Sequence, residues 1–322
     1  MSMYYVIVNP SSRSGRGLKI WKQVEPIFMQ HNAEYEVHYT KGDDMNGPMV
    51  REICDKAAER GEEARIVIMG GDGTVNEILQ GIPSLRDVIV SVIPTGSSND
   101  LARDLDLSTD PCEAVRHMLE QPTSLYIDLG TVHYENTLVR NGAMSIPDRR
   151  FIVSTGIGYD AGVCEEAMHS SLKNFLNKLH LGKLTYVSVA LKQLIATKPI
   201  TAELILDGKE NDVIQLDRLL FVAGMNHRYE GGGFMFAPEA NNHDGLIDLC
   251  VVTKLSKPMV LRVLPSAYEG KHYEYEGVDH YTARTYSVRT SAPIWVHTDG
   301  EVKTRADYIS VSLEKEAIHL IY

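Results

Sequence analysis

The segment Met69-Gly70-Gly71-Asp72-Gly73-Thr74-Val75-Asn76-Glu77 gathers three glycines around one aspartate. Backbone left bare in this way presents its N–H groups to an anion, and a following helix adds the partial positive charge of its N-terminus. Asp72 is a poor neighbour for phosphate groups unless a metal ion or water lies between them. The composition therefore points to a metal–triphosphate site. A plainer reading is a strand-to-helix turn whose aspartate caps the helix. A second loop, Pro94-Thr95-Gly96-Ser97-Ser98-Asn99-Asp100-Leu101-Ala102-Arg103, offers hydroxyls, a glycine and an acid at a helix start. Here Ser98 or Asn99 would equally serve as an N-cap. Asn9-Pro10 and the polar turn at 11–17 form a third such loop.

The elements around these loops alternate. Strand patterns at Tyr4–Val8, Tyr35–Tyr39, 65–69 and 88–93 are separated by helical patterns. One helix carries Leu18, Trp21, Val24 and Phe28, and Pro26 should kink or shorten it. Another opens at Pro48, and a third has Asp110 as N-cap with Pro111 and Glu113 completing the start signal. Alternating strands and helices imply a parallel sheet covered on both faces, with ligands bound outside the carboxyl ends of the strands. All three polar loops lie at such ends.

From about residue 125 the pattern changes to strand-like runs at 151–154, 201–206, 219–223, 247–252, 294–297 and 309–313. Asp-Gly pairs at 207–208, 244–245 and 299–300 are hairpin signals. The expected architecture is an α/β nucleotide-binding domain with a parallel sheet over residues 1–125. A mainly antiparallel β-sandwich domain, for the second substrate, covers 126–322, and the C-terminal tail is the one segment that could return to the first domain.

Composition narrows the functions. Hydrophobic residues make up 43% and charged residues 23%, as a packed core requires. The net charge of −11 gives no support for nucleic-acid binding. The cysteines Cys54, Cys112, Cys164 and Cys250 form no CxxC pair, which fits free thiols in a reducing compartment. No stretch approaches the roughly 18 apolar residues that span a bilayer. A cytoplasmic protein that meets membranes peripherally is expected. The segment 173–198 could supply that contact, with Lys173, Lys178, Lys183, Lys192 and Lys198, no acid, and Leu184, Val187, Leu191 and Leu194 on one helical face. The same helix could instead pack on the β domain and show its lysines to water.

Further motifs follow in order: Gly156-Ile157-Gly158-Tyr159-Asp160-Ala161, Gly231-Gly232-Gly233, Pro238-Glu239-Ala240, Asp244-Gly245-Leu246-Ile247-Asp248-Leu249 and Asp299-Gly300-Glu301. Together with Asn9-Pro10, Ser14-Gly15 and the two loops above, they resemble the diacylglycerol kinase catalytic family. That family includes bacterial soluble lipid kinases and the sphingosine and ceramide kinases. The Gly-Gly-Asp-Gly-Thr loop is shared with NAD kinases, so the ordered set is the specific signal. Two departures stand out: the extra residues Ser11-Ser12-Arg13, and Ser97 where the family usually has threonine. Serine keeps the hydroxyl, so nucleotide binding is expected to survive.

The resemblance implies ATP contacts from Asn9, Ser14, Gly15, Thr40, Gly71, Asp72, Gly73, Thr74, Asn76, Glu77 and Ser97. It implies a carboxylate–water network of Asp72, Asp100 and Asp128 around a catalytic Mg²⁺, with Asp72 acting on the metal rather than on packing. It further implies a structural metal held by Asn241 and Leu246 through the main chain and by Asp244 through its side chain. Asp299 is the implied acid/base, with Glu301 a rival or assistant. Read without the resemblance, Asp128 lies in a domain-joining turn, and Asp244-Gly245 and Asp299-Gly300 are hairpin turns. The implied reaction is transfer from ATP to a membrane lipid, with diacylglycerol the default acceptor and phosphatidic acid the product. Phosphatidylglycerol or a sphingoid base remain open as acceptors, and a homodimer is expected. NAD kinase and a non-catalytic nucleotide- or lipid-binding protein are the rival functions.

Overall fold

Strands β1 (Tyr4–Val8), β3 (Ala64–Gly70) and β4 (Val88–Pro94) are nearly continuous aliphatic runs, the pattern of strands covered on both faces. In the computed structural model they pair in parallel, in the order β2 (Tyr35–Tyr39), β1, β3, β4. The structure describes residues 3–42, 45–135, 146–169 and 182–322, with backbone alone at 169 and 182–188. Alternate residues of each strand face opposite layers. Val6, Val8, Val67 and Met69 pack against α1 (Gly17–Gln30) and α5 (Pro111–Glu120). Tyr5, Ile7, Ile66 and Ile68 pack against α2 (Gly47–Glu59) and α3 (Asp72–Gly81). α4 (Asp100–Asp104) is a short turn of helix after the second polar loop.

Pro26 does not shorten α1, which runs through it. Both Pro26 and Lys22, whose carbonyl loses its helical donor, are exposed, so water can satisfy the freed group. Leu18 is also exposed, and Ile20 and Ile27 join the buried stripe instead.

The second part comprises β5 (Ser124–Glu135), β6 (Arg149–Phe151), β7 (Ser154–Gly158), β8 (Ile200–Leu206), β9 (Ile214–Met225), β10 (Ile247–Thr253), β11 (Val278–Ala283), β12 (Thr285–Thr298) and β13 (Glu301–Ile321). Helices α6 (Tyr159–His169), α7 (Gly182–Ala196) and α8 (Lys257–Val263) interrupt them. β9 pairs with β8 at one end and β7 at the other, and β12 does the same. This closed ring of antiparallel pairings folds the sheet over the core of Phe151, Leu204, Val222, Leu249, Val288 and Ile309. The end of β13 then pairs in parallel with β4, through His319 with Ile89 and Leu320 with Val90.

Three local expectations change. The run 151–154 is broken, because the N–H groups of Ile152 and Val153 donate to the Asp299 carboxylate. Of the Asp-Gly pairs, only Asp299-Gly300 closes a two-residue hairpin, with both φ angles positive at 50° and 81°. Asp244-Gly245 instead leads directly into β10, and Asp207-Gly208 opens a longer loop. Asp128 belongs to strand β5 rather than to a joining turn.

Candidate active site

Three loops converge at the carboxyl ends of β1, β3 and β4. Asn9 N–H donates to Met69 O (3.0 Å), Thr95 N–H to Gly70 O (2.8 Å) and Thr40 N–H to Val8 O (3.0 Å). Asn9 Nδ2 donates to Thr74 Oγ1 (2.8 Å), joining the first loop to the glycine-rich one. Gly71 and Gly96 meet backbone to backbone: a Cβ on Gly71 would lie 2.8 Å from Gly96 Cα. Arg13, Ser14 and Gly15 all have positive φ (45°, 59° and 83°). This left-handed turn is costly for the two non-glycine residues. Ser14, Gly15 and Ser97 are exposed at this edge and Thr40 is half-buried.

The acids behind the loops are tightly placed. Asp72 Oδ2 accepts the Asp100 N–H (3.0 Å) and Oδ1 the Leu101 N–H (3.2 Å), so Asp72 caps α4 from the neighbouring loop. It is thus a packing residue as well, contrary to the expectation that it acts on a metal alone. Burial pushes its carboxyl up, against those N–H groups. Asp100 Oδ2 accepts the Gly232 N–H (2.8 Å), while Oδ1 is buried without a partner among the described residues.

Burial, and then the Asp72 charge, push the Asp100 carboxyl up to about 7 from an ordinary 3.8. Between those values the folded protein holds a proton that the unfolded chain releases. This group's contribution to stability is complete below the lower value and is lost as pH rises through the upper one. Unfolding in metal-free buffer at pH 5 and pH 8 is expected to show that loss, with a slope of at most about 1.4 kcal/mol per pH unit. Asp100→Asn should reduce that slope by this group's share, beside the other buried carboxyls that are pushed up, and an unchanged slope in that variant would contradict the assignment.

The second domain completes the site. Its glycine loop at 231–233 lies over Ser98, Asp100 and Arg103, and Gly233 leaves no room for a Cβ beside Arg103 Nη1. Glu301 Oε1 lies 2.7 Å from where a Cβ of Gly73 would stand, so its carboxylate covers the glycine-rich loop.

Asp299, two residues earlier, is differently employed. Oδ1 accepts Val153 N–H (2.8 Å) and Ser154 N–H (3.0 Å), and Oδ2 accepts Ile152 N–H (3.0 Å) and Asn76 Nδ2 (2.8 Å). Four donors leave this carboxylate little capacity to take a proton from a substrate, which corrects its assignment as the acid/base. Burial pushes its carboxyl up, while Asn76 and the three N–H groups pull it down. Asn76 is also reassigned: it is fully buried, donates to Arg150 O (3.0 Å) and accepts from Arg149 Nη2 (3.0 Å). It therefore joins the two domains and does not face a nucleotide.

Asp128 does not join Asp72 and Asp100. Its oxygens accept Gly245 N–H (2.7 Å) and Glu316 N–H (2.6 Å), and the charges that act on it are Asp244 and Lys315. The structure thus seats it under the 241–246 turn. There Asp244 is exposed and accepts the Leu246 N–H (2.9 Å), and Asn241 is exposed with its Oδ1 accepting the His243 N–H (3.3 Å). In the basic stretch, Lys173 and Lys178 lie outside the described residues, as do the side chains of Lys183, Leu184 and Val187. Lys192 pairs with Glu166 (2.6 Å), Lys198 is exposed and Leu194 is buried.

Comparison with known proteins matches this geometry to a family. The family model of the diacylglycerol kinase catalytic domain matches residues 3–132. That of the YegS C-terminal NAD kinase beta sandwich-like domain matches residues 153–321. The chain belongs to the diacylglycerol kinase catalytic family. It is an ATP-dependent lipid kinase. A diacylglycerol kinase of Mycobacterium tuberculosis is 29% identical over 296 residues, which cover 92% of this chain and 87% of that one. A diacylglycerol kinase of Bacillus subtilis is 27% identical over 299 residues, 92% and 88% of the two chains. The crystal structure of a diacylglycerol kinase from Bacillus anthracis superposes with a TM-score of 0.72 at 21% identity. It covers 100% of this chain and 96% of that one, which shows a shared two-domain fold.

Two polar groups of this lipid kinase escaped the sequence. Asp104 accepts from His227 Nδ1 (2.7 Å) and Arg228 Nε (2.6 Å), clamping α4 to the segment after β9. Burial works upward on Asp104, yet His227 and Arg228 hold it below the ordinary carboxylate range. Asp160, Glu230 and His297 form a second group behind the Asp299-Gly300 turn. Its signal in the sequence lay in the 156–161 motif, which holds Asp160 itself and Gly156, where a Cβ would collide with Asp160 and His297.

Proposed function

We propose that this kinase transfers the γ-phosphoryl group of ATP to a diacylglycerol hydroxyl, with Glu301 as general base. The observation that carries the reading is the Glu301 carboxylate, brought by the second domain against Gly73 of the phosphate loop. Glu301 takes the proton of the lipid hydroxyl as its oxygen bonds to the γ-phosphorus and the bond to ADP breaks. Asn9, Thr74 and the bare backbone of 71–73 and 96 cradle the phosphates. Asp72 and the partnerless Oδ1 of buried Asp100 suit a divalent cation. Mg²⁺ bound there supplies charge neutralisation for the triphosphate.

Diacylglycerol is the acceptor that the names of the relatives favour. Initial rates of ADP formation with micellar diacylglycerol, phosphatidylglycerol, a sphingoid base or NAD test this choice. The highest kcat/KM is expected for diacylglycerol, and a preference for any other acceptor would overturn it.

The lipid must be met at a bilayer surface. No helix among the described residues is long and apolar enough to cross a membrane. An exposed apolar patch lies on α6, α7 and α8: Met168, Leu191, Ile195 (73% exposed), Met259 and Leu261. The elements touch through Lys192–Glu166 and Lys257 Nζ to Ile195 O, and exposed Lys198 and Arg262 add positive charge. Such a patch fits an anionic bilayer. Ile195→Asp is expected to weaken co-sedimentation with anionic vesicles about tenfold and to leave turnover on detergent-solubilised lipid unchanged. Undiminished vesicle binding would place the membrane face elsewhere.

A further inference from the structure

His297 is completely buried at the end of β12, and each of its ring nitrogens has a partner. Nε2 lies 3.2 Å from Asp160 Oδ2 and 3.1 Å from Glu230 Oε1. Nδ1 lies 3.1 Å from the backbone nitrogen of Gly300. A backbone N–H can only donate, so Nδ1 must present its lone pair. A neutral imidazole has one donor and one acceptor nitrogen, so the ring proton is on Nε2, between the carboxylates.

The ligand types of this group would suit a metal ion. The hydrogen bonding does not: a metal on Nε2 needs the lone pair there, and the proton would move to Nδ1, against the Gly300 N–H. Asp160 Oδ1 and Glu230 Oε2 are buried without partners among the described residues, and burial pushes the Asp160 carboxyl up. Burial opposes charge on the ring, but Glu230 and the other neighbours raise its affinity for a proton well above the ordinary value. Nδ1 already accepts the Gly300 N–H, so a second ring proton there would face a donor.

We propose that His297 is a positioning residue for Glu301: its Nδ1 holds the Gly300 N–H and so fixes the turn that carries the base. The proposal rests on the reading of Glu301 as base. The turn then has two anchors, the four donors to Asp299 and the imidazole behind Gly300. Asp160 and Glu230 act through the ring by fixing its tautomer. Among the described residues, the other ionisable groups whose charges act on the cluster include Cys164 on α6, Cys250 on β10, Tyr286 on β12 and Asp100 on α4.

The test uses the full chain with ¹⁵N-labelled histidine, His297 being assigned by the signal lost in His297→Asn. The neutral Nε2–H signature is expected to persist from pH 6 to pH 8, in the wild type and in Glu301→Gln alike. An imidazolium, an Nδ1–H tautomer or a shift on adding Zn²⁺ or Mg²⁺ would overturn the proposal. In turnover, Asn offers an Oδ1 near the position of Nδ1 and can accept the same N–H. His297→Asn should therefore stay within about threefold of wild type in kcat, whereas His297→Leu should lose about tenfold or more at unchanged KM for ATP. Wild-type kcat in a folded His297→Leu would also overturn it, and if that variant does not fold, the signature and His297→Asn decide. Full activity in Glu301→Gln would instead remove the base itself, a failure that leaves the histidine signature untouched.

Discussion

Glu301→Gln is expected to lower kcat by about a hundredfold or more, the usual range for losing a positioned general base. The KM for ATP and the thermal unfolding midpoint should stay close to wild type. Gln keeps the shape of the side chain and removes only its capacity to take a proton. The residue is half-exposed, and its carboxylate touches the phosphate loop at Gly73 rather than holding the fold together. Steady-state kinetics on micellar diacylglycerol, with a melting curve for each variant, checks both halves of the expectation. Turnover near wild type would remove Glu301 from the reaction.

Asp299→Asn should have the opposite profile, with a large loss of stability. Each carboxylate oxygen of Asp299 accepts two donors. Whichever way an asparagine amide is turned, its NH₂ faces either the Val153 and Ser154 N–H groups or the Ile152 N–H and Asn76 Nδ2. A buried donor left without an acceptor costs about 1–3 kcal/mol, so losing two implies roughly 2–6 kcal/mol. Denaturant unfolding is expected to show that loss, with activity falling in proportion to the folded fraction and to misplacement of Glu301. A variant with wild-type stability and a hundredfold lower kcat would return the role of base to Asp299.

The contrast between these neighbouring acids shows what the sequence could carry. The strands of the first domain were legible because burial on both faces leaves unbroken aliphatic runs, as in Tyr4–Val8 and Val88–Pro94. The loops were legible because Gly71 and Gly96 admit no side chain where the two backbones meet. The partners of the acids were not legible, since they are set by contacts between distant segments. Asn76 meets Asp299 across 223 positions, and Asp128 meets the Glu316 N–H across 188. An Asp-Gly pair reads the same whether its carboxylate faces a substrate or four buried donors. The break at Ile152 and Val153 was hidden for the same reason, as its cause lies in the turn at Asp299. His297, Asp160 and Glu230 come from three separate elements and share no spacing that marks them as a group.

As a lipid kinase, the chain moves the γ-phosphoryl group of ATP onto a lipid hydroxyl. The most direct measurement incubates the full chain with γ-labelled ATP, Mg²⁺ and diacylglycerol in detergent micelles, then separates the organic and aqueous phases and identifies the labelled product by mass spectrometry. Label is expected in phosphatidic acid, dependent on both diacylglycerol and enzyme and nearly absent with Glu301→Gln. Label found only in inorganic phosphate, or transferred to NAD and to no lipid, would contradict it.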